Sequence, residues 1–170
     1  MREIKSLPDE DEQRKLQIRE ATIEDLPALV EFAVELIRQH QTYDTDRFVG
    51  FEPLADKYAE FFPEQLENKQ VVILVAALEK QIAGYAFLKI EEESFLDVRA
   101  ATVWLHDIYI DQTSRGKNIG RQLLNAAVES ARDLGSSSLM LSVSPKNETA
   151  NKLFKAYGFR PTLTEMRLDF

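Results

Sequence analysis

A chain of 170 residues, 44% of them hydrophobic, is long enough to bury one full core. Its 29 acidic side chains outnumber the 21 basic ones, and a formal charge of -8 argues against nucleic acid as a partner, because gripping a phosphate backbone needs a broad basic surface. The absence of cysteine removes disulfides, thiolate nucleophiles and cysteine-based metal sites, so any chemistry must come from other groups.

Residues 1–15 mix Pro8 with Asp9, Glu10, Asp11 and Glu12 and read as a flexible arm, ahead of a single domain over 16–170. This start lacks the apolar centre of a secretion signal, and no run approaches the roughly 20 apolar residues that a membrane helix requires. The expectation is a soluble cytoplasmic protein that does not engage a membrane. Leu16 to Glu20 alternates like a strand, and Thr22 offers an N-cap to a helical run through Leu26, Leu29, Val30, Ala33, Val34 and Ile37. Periodicity breaks from Gln39 to Gly50, a polar and aromatic stretch suited to a lid or pocket wall, and Pro53 then opens a second helix to about Asn68. Val71 to Leu78 and Ile82 to Ile90 read as a hairpin turned by Glu79-Lys80-Gln81, and the acidic run Glu91-Glu92-Glu93 as a solvated loop ahead of metal binding.

Ala101 to Ile110 predicts the next strand, and here the sequence is most informative. The strand passes through a polar loop, with Gly116 and Gly120 bracketing Lys117 and Asn118, into an amphipathic helix from about Asn118 to Leu134 that Gly135 closes. A strand, a glycine-bearing turn and a helix start together leave unpaired backbone N–H groups at the positive end of the helix dipole, the combination that holds a phosphate or pyrophosphate. Arg115, Lys117 and Arg121 add positive charge there, although basic side chains ordinarily favour the other end of a helix. The spacing does not fit the phosphate loop of NTPases, which needs Gly, four residues, then Gly-Lys followed by Ser or Thr. Leu139 to Val143 predicts a further strand, Thr149 to Tyr157 a short helix closed by Gly158, and Arg160 to Phe170 one or two last strands around Pro161. The sum is an α/β (α+β) fold: a mixed, mostly antiparallel sheet of six to seven strands with about four helices.

Two of these segments carry a resemblance. Arg115-Gly116-Lys117-Asn118-Ile119-Gly120 resembles the acetyl-CoA signature of the GNAT family of N-acetyltransferases, and Asn147, Ala150, Phe154 and Gly158-Phe159 resemble that family's second motif, an Asn followed by a short helix ending in Gly-Phe. The order of elements from Leu16 to Phe170 is also similar to the family fold, in which a parallel strand pair splays apart. Asn118 stands where the signature has its first glycine, and Asn is the non-glycine residue that most readily turns left-handed. Phe154 stands where many members carry a Tyr thought to protonate the departing thiolate.

The resemblance implies acetyl-CoA as co-substrate and no metal. The backbone of Ile108, Tyr109 and Ile110 would follow the pantetheine arm, and the segment Arg115, Gly116, Lys117, Asn118, Ile119, Gly120, Arg121 would hold the pyrophosphate. Asn147 and Phe154 would touch the cofactor from the other side, Asn147 by hydrogen bonding and Phe154 by packing. His106, just before that backbone, is the candidate general base, since imidazole can take a proton at neutral pH; a lone His on an apolar strand is otherwise more often a core residue. Strand alternation puts Asp107 on the opposite face from His106 and gives it a structural role. Tyr157 is expected to pack under Gly158-Phe159. The reading is an acetyl-CoA-dependent N-acetyltransferase acting on a small-molecule primary amine. A protein or peptide acceptor, or a non-catalytic CoA-binding module, is the alternative, and a homodimer is among the assemblies that the resemblance allows.

Overall fold

The apolar run Val71–Leu78 is a continuous strand because both of its faces are covered: Ile73 and Val75 enter one core and Leu74 enters another. The computed structural model describes residues 16–79 and 81–170, so the expected arm over 1–15 and Lys80 of the expected turn lie outside it. Among the described residues five strands form one sheet: β1 (Leu16–Glu20), β2 (Val71–Leu78), β3 (Gln81–Glu91), β4 (Thr102–Ile110) and β5 (Leu139–Met140). They lie in sequential order, every pair antiparallel except the parallel β4–β5. Four helices, α1 (Leu26–Tyr43), α2 (Leu54–Glu67), α3 (Ile119–Asp133) and α4 (Glu148–Tyr157), cover its two faces.

Leu29, Phe32 and Leu36 of α1 and Phe62 of α2 pack on Val75, Tyr85, Phe87 and Tyr109. On the other face Leu123, Leu124 and Ala127 of α3 and Phe154 of α4 pack on Ala86, Leu88, Val103 and Leu105. Among the described residues no helix is long and apolar enough to cross a membrane.

The mixed, mostly antiparallel α/β architecture is the expected one, with five strands where six to seven were anticipated. Leu139–Val143 pairs only at Leu139 and Met140, opposite Val103 and Trp104. Residues 160–170 carry no strand, and Leu163, Met166, Leu168 and Phe170 stand almost wholly in solvent. Alternation makes a segment competent to pair, but a strand exists only when another edge lies beside it. Two boundaries also move. Gln81 sits opposite Leu78 and so belongs to β3. The first helix continues through Gln39 to Tyr43, where the Gln39 amide donates to the Tyr43 hydroxyl at 2.6 Å and the Thr42 hydroxyl to the Gln39 carbonyl at 2.7 Å. These local bonds satisfy polar groups that periodicity alone marks as a break.

The helix start is built as Thr22 suggests. A short turn, Ile23–Asp25, precedes α1, and the Thr22 N–H donates to the Asp25 carboxylate at 2.8 Å. Asp25 also accepts from the Arg19 guanidinium at 2.7 and 2.8 Å, which holds its carboxyl below the usual range in spite of burial.

Register along β3 and β4 contains the irregularity that matters most. Phe87 lies opposite Asp107 and Leu88 opposite Leu105, which leaves His106 as an extra residue, a β-bulge. Val103 and Leu105 before the bulge, and Ile108 and Ile110 after it, all face α3 and α4. His106 and Asp107 therefore share the α1–α2 face: the His106 ring lies 5.7 Å from that of Phe87, and Asp107 accepts from the Tyr85 hydroxyl. The expected placement of Asp107 opposite His106 is thereby corrected, because the inserted residue interrupts strict period two.

Candidate functional site

Past Trp104–Met140 the parallel pair parts. β4 continues to Ile110 while the chain after Met140 leaves the ladder, which opens a slot along the second half of β4. The Asp111 N–H donates to the Ala83 carbonyl at 2.9 Å, so in an antiparallel ladder Tyr109 and Asp107 direct their backbone groups to β3 as well. Ile108 and Ile110 direct theirs to the slot. Gly84 lets the strands come this close, since a Cβ there would lie 2.5 Å from the Tyr109 carbonyl oxygen.

The loop after β4 is set by its own side chains. Asp111 accepts from the Thr113 N–H at 3.0 Å and opens a short turn, Gln112–Ser114. Gly116 takes φ 82° and Asn118 φ 62°, two left-handed residues that turn the chain into α3. The Asn118 side chain makes no capping bond, so the first-turn N–H groups of Ile119, Gly120 and Arg121 are open to an anion. Nothing lies within 4 Å of where a Gly116 Cβ would be, and the Gly120 position lies 3.6 Å from Ile110 and 3.7 Å from Leu153. The loop, the end of β4 and α4 thus meet at one place.

The three basic residues do not act alike. Lys117 and Arg121 are exposed at the helix start. Arg115 turns back: its Nε donates to the Ile110 carbonyl at 3.1 Å, Nη2 to Gln39 Oε1 at 3.4 Å, and its guanidinium lies 5.6 Å from the Tyr109 ring centre. It ties the end of α1 to the end of β4 and occupies one backbone acceptor of the slot.

His106 is partly exposed, and its Nε2 lies 2.9 Å from Glu91 Oε1. With Nε2 donating to that carboxylate, Nδ1 is the nitrogen left to accept a proton. Lys89 approaches the same Glu91 oxygen at 3.6 Å. Asp107, beside His106, accepts from the fully buried Tyr85 hydroxyl at 2.9 Å. Burial raises the Asp107 carboxyl above its usual range, against the opposing pull of Tyr85 and His106, and drives the Tyr85 hydroxyl well up. Tyr58 is carried to about 12 by burial and by the Asp107 charge. A base with an orienting carboxylate, next to a second carboxylate in a tyrosine-lined wall, can bind and deprotonate a cation.

In the second segment the same residues also shape the fold. Asn147 caps α4: its Oδ1 accepts from the Ala150 N–H at 3.1 Å. Asn151 holds the approach, its amide donating to the Ser144 and Asn147 carbonyls at 2.8 and 2.9 Å. Phe154 is buried in the α3–α4 core, 5.6 Å from the Phe159 ring, and Tyr157 packs on Phe159 at 6.1 Å as expected.

The stretch after α1 is tied down at several points. Lys146 donates to the Tyr43 carbonyl, Arg47 pairs with Glu165, and His40 stacks on Phe48 with ring centres 4.9 Å apart.

The sequence singles out neither the Glu91–His106 contact nor Tyr85, although the stretch from about Glu91 to Asp97 reads as part of an acceptor wall. Instead of lying in the expected solvated loop, Glu91 closes β3 opposite Thr102, and the long side chain reaches down the face to the bulge. Only the hairpin register, offset by an inserted residue, could have found it. Among the described residues no group of three or more His, Asp or Glu side chains is arranged to hold a metal.

The "Acetyltransferase (GNAT) family" profile matches residues 29–159. An uncharacterized N-acetyltransferase of Bacillus subtilis, YycN, is 32% identical over 106 residues, 62% of this chain and 65% of that protein. The chain spans less than two thirds of the length of the curated relatives it matches. Two solved structures share the fold. A predicted acetyltransferase of Clostridium acetobutylicum, solved with acetyl-CoA, has a TM-score of 0.66 at 22% identity, over 91% of this chain and 96% of its own. Aminoglycoside N-acetyltransferase AAC(6')-Iy in complex with CoA has a TM-score of 0.74 at 18% identity, over 91% and 94%. On the match that spans most of its length, and on a fold with a splayed parallel pair and an anion loop at its end, the chain belongs to the GNAT acetyltransferase family.

Proposed function

We propose that this protein transfers the acetyl group of acetyl-CoA to the primary amine of a small molecule, with His106 as general base. The observation that carries the reading is the conjunction of the slot beside Ile108 and Ile110 with His106, held by Glu91, on the same stretch of β4. The slot suits the cofactor on its own evidence: backbone groups of Ile108 and Ile110 facing it, two left-handed residues at its end, and uncapped N–H groups at the start of α3. Family relatives solved with acetyl-CoA and CoA support the choice of ligand. When bound, acetyl-CoA supplies an activated acetyl group and a thiolate leaving group.

An amine arrives as an ammonium ion, and the acceptor face answers that charge with the Glu91 and Asp107 carboxylates. His106 takes one proton at Nδ1 while Glu91 steadies the imidazolium through Nε2. The freed lone pair attacks the thioester carbonyl carbon, and the Ile108 N–H is placed to stabilise the negative charge growing on the carbonyl oxygen. A new C–N bond forms as C–S breaks. Phe154 has no proton to give, so the second proton shed by nitrogen, passed directly or through water, neutralises the thiolate.

Gln39 and Tyr43 tie the end of α1 to Arg115 and Lys146, and Arg47 ties the segment after it to Glu165, which supports a small acceptor over a peptide laid in an open groove. A non-catalytic CoA-binding module is the second reading, favoured by the buried Phe154 at the place of a proton donor. The test is CoA release from acetyl-CoA over a broad amine panel, beside calorimetric titration with acetyl-CoA. Turnover with a small amine supports transfer. Binding with no turnover across the panel overturns it in favour of the module, and no binding at millimolar ligand overturns both.

A further inference from the structure

The carboxylate that steadies His106 already carries a second cation. Glu91 Oε1 lies 2.9 Å from His106 Nε2 and 3.6 Å from the Lys89 ammonium. Lys89 and Glu91 are two apart on β3, so strand alternation turns both to the α1–α2 face, and Lys89 lies directly opposite Trp104 of β4. Lys89, Glu91 and His106 are 38, 29 and 38% exposed, so an incoming molecule meets all three without any part of the core opening.

Beside these charges runs a row of rings. Phe61 of α2 lies 5.7 Å from Phe87, Phe87 5.7 Å from His106, and His106 6.3 Å from Trp104, centre to centre. Trp104 is half-buried, and the Arg99 guanidinium lies 5.9 Å from its ring while donating to the Glu92 carbonyl at 2.9 Å and the Ala100 carbonyl at 3.1 Å. Glu92 and Glu93 stand past the strand end in water, where their pull is screened. With the thioester taken up on the Ile108 side of His106, as proposed above, an amine that reaches Nδ1 extends its body the other way, onto the rings.

We infer that Lys89 is a specificity-determining residue, which restricts the acceptor to a singly charged amine on an apolar body. Its ammonium fills the place on Glu91 that the far ammonium of a diamine would need, and with Arg99 it repels any second positive charge carried along the row. An amino acid fares no better, because its carboxylate, one carbon from its amine, would enter beside Asp107 and Glu91. An apolar body pays neither penalty and gains ring contacts. The inference rests on the acetyl-transfer reading for the direction in which the acceptor lies, whereas binding on the row is measurable without transfer.

Trp104 is the only tryptophan of the chain, so its emission reports an amine on the row in the absence of turnover. Butylamine, phenethylamine and putrescine, the last being butylamine with a second amine at its far end, are titrated against the full chain, and kcat/KM with acetyl-CoA is measured for the same three. The wild type is expected to favour butylamine over putrescine, with phenethylamine ahead of both. The butylamine-to-putrescine ratio is expected to fall about tenfold in Lys89→Met and to hold in Lys89→Arg. Salt at about 0.5 M should shrink the difference between wild type and Lys89→Met, because the charges concerned are half-exposed. Lys89→Arg and the salt dependence of the wild type decide the matter even where Lys89→Met fails to fold. A wild type that favours putrescine, a ratio that a folded Lys89→Met leaves unmoved, or an emission that no amine moves overturns the inference. Amines that bind in the expected order and are not acetylated uphold it and overturn the transfer reading instead.

Discussion

The Tyr85 hydroxyl, wholly buried, donates to Asp107 Oδ2 at 2.9 Å and pulls this carboxyl down against the opposing effect of burial. Tyr85→Phe removes the donor and leaves the carboxylate poorly solvated, at a cost of about 1–3 kcal/mol. The Asp107 pKa, already raised by burial, rises further. A raised folded pKa contributes stability that is present at low pH and lost as pH climbs through it. Urea denaturation is therefore expected to show a larger deficit for the variant at pH 8 than at pH 4.

Glu91 and His106 should behave as one unit in turnover. His106→Ala is expected to lower kcat by about 10²–10⁴-fold with little change in acetyl-CoA affinity, because the base does not hold the cofactor. Glu91→Gln keeps the shape and loses the charge, and a fall of about tenfold is expected. The double variant should be no slower than His106→Ala alone. Initial rates with a responsive amine, set against calorimetric affinities, check all three; independent, multiplying effects would separate the residues.

Asn118 takes a left-handed conformation at φ 62° without using its side chain as a cap. Asn118→Gly is expected to keep or raise the melting temperature and acetyl-CoA affinity. Asn118→Val must pay for a β-branched residue in that region, about 1–2 kcal/mol, and should weaken acetyl-CoA binding as the loop reorients. Thermal unfolding and titration calorimetry report the two effects separately.

Asp25 predicts an acid limb of stability. Its carboxyl is held low chiefly by the Arg19 guanidinium, so the stabilisation is present above the unfolded value near pH 4 and is lost as pH falls through the lower folded value. Arg19 is a third exposed, and solvent screening keeps the expected loss in Asp25→Asn to about 1 kcal/mol at pH 7. The two proteins should converge in denaturant titrations once the pH has fallen below that folded value, where wild-type Asp25 is protonated as well.

The elements whose patterning is local were legible in the sequence. The β2 run, the glycine-bearing loop and the helix after it depend on neighbours in the chain, and the left-handed Asn118 follows from residue type alone. What escaped depends on distant partners. Strict alternation misplaced Asp107 because a bulge is a property of two strands, and nothing in the sequence around Trp104 to Ile108 marks which residue will be left over. Glu91 looked solvated because its partner lies 15 residues on, across that same bulge. The last strands were expected from alternation over 160–170, a signal that says a segment can pair but not with what. Asn147 carried the right residue type for its place, yet the structure gives its oxygen to the helix that it begins.

The leftover residue in β4 also bears on how such a strand can change. Period two normally gives neighbouring positions to opposite surfaces, so a second polar group next to His106 would have to displace an apolar side chain from the layer behind. With one residue inserted, Val103, Leu105, Ile108 and Ile110 keep an unbroken row against α3 and α4 while positions 106 and 107 both lie on the α1–α2 face. A substitution at either position then alters the α1–α2 face, and the packing behind it against α3 and α4 need not follow.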